Sequence, residues 1–133
     1  MPADQQIQSS VFNVADFEAA DTAILEVTDR KGDPLLYNGQ PVTIELYSPG
    51  SSEYLRATHK VATAQQTATF AAIRGKPIKE TVEGNIHKQA EKLAVCTASV
   101  RNFPVAAFDI YANPKLGYIT NQVAKFIEDW ANF

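Results

Sequence analysis

The chain has 133 residues, 45% hydrophobic and 20% charged, with a formal net charge of −3. That length corresponds to one domain, and the apolar fraction is too high for a disordered chain. A single cysteine, Cys96, rules out an intrachain disulfide, and no apolar run reaches the roughly 20 residues that cross a bilayer.

A soluble protein of a reducing compartment is therefore expected, with no membrane association. The first residues, Met1-Pro2-Ala3-Asp4-Gln5-Gln6, show neither a basic region nor an apolar run, so no signal peptide is expected. The charge is unevenly spread. Residues 1–54 carry nine acids against Arg30 and Lys31, a block of −7; residues 55–101 come to +5 and residues 102–133 to −1. An acidic first part and a basic middle attract one another within a chain or between copies. The basic residues have little aromatic interleaving and the net charge has the wrong sign, so nucleic acid is not expected as a partner.

Residues 1–21 read as a flexible acidic lead-in with one apolar cluster, Val11-Phe12-Asn13-Val14. A single α+β domain then spans 22–133. It is mainly helical, with a small N-terminal antiparallel sheet or hairpin over 22–47 followed by three helices. Thr22–Asp29 is β-rich, Asp29–Pro34 carries turn chemistry, and Asn38-Gly39 marks a tight turn because both residues tolerate positive φ. Val42, Ile44 and Leu46 alternate with Thr43, Glu45 and Tyr47, the pattern of a half-buried strand. Serines 51 and 52 with Glu53 start a helix over about 52–73. Its apolar side is mostly small: Leu55, Val61, Ala62, Ala68 and Ala72, with Tyr54 and Phe70 as bulk. Gly75-Lys76-Pro77 ends it.

The strongest periodicity in the chain predicts a second helix over about 78–103. Val82, Ile86, Gln89, Leu93, Cys96, Val100 and Phe103 fall on one stripe, more simply a core face than a coiled-coil seam. Residues 104–112 form an apolar connector. Asn113-Pro114 then opens a third helix over about 114–131, with asparagine at the cap and proline at the first helical position.

Catalytic chemistry is scarce. His59 and His87 lie on different predicted helices without partners at ligand spacing, so no metal site is expected. Cys96 sits on the apolar stripe and reads as a small buried hydrophobe. There is no nucleophile elbow, no glycine-rich phosphate loop and no dinucleotide fingerprint. The Pro49-Gly50-Ser51-Ser52 turn is explained as a helix start, and Glu80, Glu83, Glu128 and Asp129 as solvated charge. No catalytic residue and no cofactor are expected, which favours a binding or assembly protein over an enzyme.

The run from Gln40 to Tyr54, followed by a basic Ala/Thr/Gln helix, resembles the tail assembly chaperones of long-tailed bacteriophages. So does the ending from Asn113 to Phe133. The resemblance covers roughly 22–133 and lies in the order of several elements. One departure is Asn102-Phe103, where relatives often carry Gly-Trp after the long helix. The resemblance implies a chaperone that binds the tape measure protein and recruits the major tail (tube) protein during tail assembly. It also implies a place in the host bacterial cytoplasm, absence from the mature virion, and in many relatives a longer frameshifted form. Opposite charges on the two halves make a homo-oligomer a further expectation. The expected partner surface is the basic helix, through Arg56 and Lys60, with the connector aromatics Phe108 and Tyr111; core packing is the simpler role for those two aromatics. The alternatives are a structural virion protein, such as a tail terminator or head–tail connector, and a small enzyme with a composite site.

Overall fold

The structure is a computed structural model that describes residues 12–75 and 81–133. Its elements are β1 (Thr22–Glu26), β2 (Leu36–Tyr37), β3 (Gln40–Pro41), β4 (Thr43–Tyr47), α1 (Ser52–Ile73), α2 (Val82–Val95), β5 (Thr97–Arg101), α3 (Ala107–Ala112) and α4 (Gly117–Glu128). Short 3-10 turns lie at Val14–Phe17, Pro114–Leu116 and Trp130–Asn132. Among the described residues the fold is mixed α+β with a small antiparallel sheet and four helices. No helix among the described residues is long and apolar enough to cross a membrane.

β4 is the centre of the fold. It pairs antiparallel with β1 on one side and β5 on the other. Ile44 and Leu46, together with Val42 just before the strand, are buried. They join Leu93 and Cys96 at the end of α2, Ile110 and Tyr111 of α3, and Ile119, Val123 and Ile127 of α4 in one core. The opposite face of β4 is polar. Thr22 Oγ1 donates to Glu45 Oε2 (2.9 Å) and Arg101 Nη2 to Glu45 Oε1 (3.2 Å), so one carboxylate ties β1, β4 and β5 together. The alternation read from residues 42–47 is thus the alternation of core and solvent faces.

The turn signals act where expected. Asn38 and Gly39 take positive φ (54° and 77°) and close the separate β2–β3 hairpin. Ser51 Oγ accepts from the Tyr54 N–H (3.1 Å) and caps α1. Asn113 caps the Pro114–Leu116 turn by accepting from Lys115 N–H (3.0 Å), and α4 follows directly. Asp129 interrupts the predicted 114–131 helix, which resumes only as the 3-10 turn at Trp130–Asn132.

The long helix predicted over 78–103 is corrected. Residues 78–80 lie outside the described residues; within them the helix covers only Val82–Val95, and the chain then turns into β5. The reason is the edge of β4. Without β5, its N–H and C=O groups would face away from any partner beside a buried apolar strand. Thr97–Arg101 satisfies them, with Ile44 opposite Val100 and the Tyr47 N–H donating to Cys96 O (2.8 Å). Thr97 Oγ1 caps the helix end by donating to Leu93 O (2.8 Å). The predicted stripe also shifts: Gln89 is exposed and Val82 is 72% exposed, while Ala90, Leu93 and Cys96 are buried. The connector contributes a helix of its own, α3.

Further contacts pin the periphery to this core. Asn102, at φ 62°, donates through Nδ2 to Tyr37 O (3.0 Å) and Gln40 O (2.8 Å), fastening the β2–β3 hairpin to the end of β5. Gln122 of α4 accepts from Thr28 N–H (2.8 Å) and donates to Thr28 O (2.8 Å), holding the segment after β1. Of the lead-in, residues 12–18 are exposed and include a single 3-10 turn; Val11 lies outside the described residues.

Candidate interaction surface

α1 is about 33 Å long at 1.5 Å per residue, yet Ala57 is its one buried residue. The small side chains expected to form its packed face do not do so: Leu55 and Val61 are exposed, and beyond Ala57 only Ala68 and Ala71 are partly covered. Tertiary packing holds the first turns of α1, through Tyr54 and Ala57 against the core. The rest of the helix lies beside α2 with an open groove between them.

The groove has a volume of about 290 Å³. Its apolar lining is Ala57, Val61, Ala64 and Ala68 from α1 with Val95 from α2. Lys60, Lys88 and Lys92 stand on its sides against one acid, Glu91. Small side chains at three- and four-residue spacing leave a shallow apolar channel, and the lysine stems widen it while keeping their charges in water.

Three of the four residues expected at a partner surface meet around this groove or beside it. Arg56 and Lys60 are one turn apart on α1 and largely exposed; Arg56 lies 3.9 Å from Glu53. Lys60 Nζ donates to Glu91 Oε2 (3.4 Å) across the groove. The other Glu91 oxygen lies 2.9 Å from His87 Nε2, and the His87 ring meets Phe108 edge-on at 5.1 Å. Lys60, Glu91, His87 and half-buried Phe108 therefore form one continuous strip from α1 over α2 to α3. Such exposed pairs contribute little to stability, so their placement matters more for what the surface presents than for holding it together.

Tyr111 is in a different place. It is 3% exposed, its hydroxyl is 2.7 Å from Thr97 Oγ1, and burial pushes its pKa up to about 12. It packs the core behind the strip and presents nothing to a partner. From sequence, Glu91 draws no attention and His87 is weighed only as a metal ligand. The signal available was their spacing: His87 and Glu91 are one helical turn apart, so one side chain can orient the other.

Cys96 is buried, and desolvation pushes its thiol up to about 11 despite the opposing effect of Lys92. A thiol so disfavoured as thiolate is a poor nucleophile. Among the described residues, no three His, Cys, Asp or Glu side chains gather closely enough to hold a metal ion. The arrangement presents an elongated surface with apolar and basic character. Compared with known proteins, the chain matches no family model, and no curated protein or solved structure matches it either.

Proposed function

We propose that this protein is a non-catalytic phage tail assembly chaperone, which binds an amphipathic helix of the tape measure protein and recruits tail tube subunits during assembly. The observation that carries this reading is the open α1–α2 groove, with its apolar lining, three lysines and one glutamate. Isolated helices with apolar faces are held in grooves of this kind, the apolar face inside and charges at the margins. A tape measure protein, as a long amphipathic helix, needs such cover before the tube encloses it. The order of sequence elements that resembles tail assembly chaperones supports the same conclusion. The host cytoplasm is the place of action in this reading.

The test is co-expression with the tape measure protein followed by affinity co-purification. Val61→Asp with Ala64→Glu places carboxylates in the groove without touching the core, and recovery of the tape measure protein is expected to fall at least about tenfold. Arg56→Glu with Lys60→Glu should lower it further at low salt than at high salt. Unchanged recovery with both variants refutes the reading. Mass spectrometry of purified virions separates the chaperone from a tail terminator or connector: the chaperone is absent from the particle, whereas a structural protein remains in it.

A further inference from the structure

The N-terminal segment carries the chemistry that the groove lacks. Residues 12–21 contain Asp16, Glu18 and Asp21 and no basic residue. The 3-10 turn at Val14–Phe17 stacks Phe12 on Phe17, ring centres 5.6 Å apart. Both rings stand in solvent, 68% and 76% exposed, with Val14 exposed beside them. Two phenyl rings and a valine grouped in water make an apolar patch that a covering partner would stabilise. The end of this arm is anchored: Ala20 N–H donates to Phe133 O (2.9 Å), and Ser48 N–H donates to Asp21 O (2.8 Å). The arm is thereby tethered at Ala20 and Asp21, with its exposed acidic, aromatic cluster before that anchor.

The groove offers the complement, an apolar lining of Val61, Ala64 and Ala68 flanked by Lys60, Lys88 and Lys92. We infer that the arm of one copy seats in the α1–α2 groove of a second copy, joining the chain to itself head to tail. Phe12 and Phe17 cover the apolar lining, and Asp16 and Glu18 face the lysines. Opposite charge on the two surfaces selects this pairing over arm-to-arm or groove-to-groove contact, where like charges meet. Because the two surfaces differ, the contact is heterologous: each copy keeps a free arm and a free groove, and copies add until a ring closes or a client intervenes. The inference concerns the same groove as the proposed function and adds its regulation, since a tape measure helix and a neighbouring arm compete for one seat. It rests on that reading only for the identity of the competitor.

The test uses the full chain alone, with no tape measure protein present, so its failure and the failure of the client reading are distinguishable. Sedimentation velocity over a concentration series measures self-association of the natural chain, of an arm variant (Phe12→Ser with Phe17→Ser) and of a groove variant (Ala64→Glu with Ala68→Glu). All four substitutions lie at exposed or half-exposed positions, and circular dichroism checks that each variant folds. The natural chain should self-associate, more weakly as salt rises. Each variant alone should associate at least about tenfold more weakly. An equimolar mixture of the two should recover a dimer and nothing larger, because one variant supplies the intact arm and the other the intact groove. A natural chain that stays monomeric, as it would with the arm on its own groove, overturns the inference. So do variants that associate like the natural chain, or folded variants that fail to pair when mixed.

Discussion

Replacing Gln122 by glutamate tests how the segment after β1 is held to α4. The Gln122 amide uses both ends. Its oxygen accepts from the Thr28 N–H (2.8 Å) and Thr28 Oγ1 (3.0 Å), and its nitrogen donates to Thr28 O (2.8 Å) and Tyr118 O (2.9 Å). A glutamate of the same shape keeps the accepting half. Its second oxygen, ionised, would point at two carbonyl oxygens. Two donated hydrogen bonds at about 1 kcal/mol each are lost, and the facing oxygens add a desolvation cost of similar size, so about 3 kcal/mol is expected at pH 7. That is a large share of the roughly 5–15 kcal/mol by which domains are stable.

The sign of the pH dependence separates this mechanism from simple misfit. Two carbonyls and partial burial raise the native pKa of the new carboxyl above its unfolded value of about 4.3. A group raised in this way contributes its stability fully below the unfolded pKa and loses it as pH rises through the native one. The protonated acid donates to Thr28 O much as the amide did, so the deficit of Gln122→Glu should shrink as pH falls from 7 to about 4. Urea unfolding followed by far-ultraviolet circular dichroism, with the natural chain measured at each pH, gives the difference directly. Gln122→Ala loses all four hydrogen bonds and should cost about 4 kcal/mol at every pH. A glutamate variant as stable as the natural chain at pH 7, or a deficit independent of pH, would refute the assigned hydrogen bonding.

Thr120 is buried in α4, and its Oγ1 has no hydrogen-bond partner among the described residues; Thr120→Val should therefore raise stability by about 1 kcal/mol in thermal unfolding. Asn102 combines positive φ with hairpin hydrogen bonds. Asn102→Gly loses only the bonds and Asn102→Ala also strains the backbone, so alanine should be the less stable by about 1 kcal/mol in urea titration. Cys96 and Tyr111 are raised to about 11 and about 12 by burial. Stability should hold up to about pH 8, below the range in which an unfolded thiol ionises, and fall as pH rises through 11 and then 12; the Cys96→Val variant should lose the first part of that fall in urea midpoints measured across pH.

Local chemistry was legible wherever one or two residues decide the backbone. Asn38-Gly39, Ser51 and Asn113-Pro114 each act through their own φ or their own side chain, and each sits where the sequence places it. The alternation of Val42, Ile44 and Leu46 was legible because only one face of β4 is buried. β5 was hidden because its evidence is not local. Cys96, Val100 and Phe103 lie at four- and three-residue steps, which helix periodicity accommodates. What decides their state is the unpaired edge of β4, and Ile44 is 56 positions from its partner Val100. Pairing that distant edge outweighs the helical spacing, and a one-dimensional pattern carries no trace of which edge needs filling.

The expected partner surface divides along the same line. Exposed cations on one helix face, Arg56 and Lys60, follow from spacing alone. Phe108 and Tyr111 are three residues apart on a short helix and read alike in sequence, yet the Thr97 hydroxyl and the core claim Tyr111 while His87 meets Phe108. The difference arises from β5, since the strand that ends α2 early brings Thr97 beneath α3. The correction to the fold and the sorting of the two aromatics are thus one event. The same early end shortens α2 to 14 residues beside the 22 of α1. The groove does not follow from that length, because Asn85 and Lys88 of α2 already lie alongside the stretch of α1 that holds Ala64 and Ala68. It opens because the side chains that α1 turns toward α2, Ala57, Ala64 and Ala68 with Val61, are too small to fill the space between the helices, and the basic middle block of the sequence supplies its lysines.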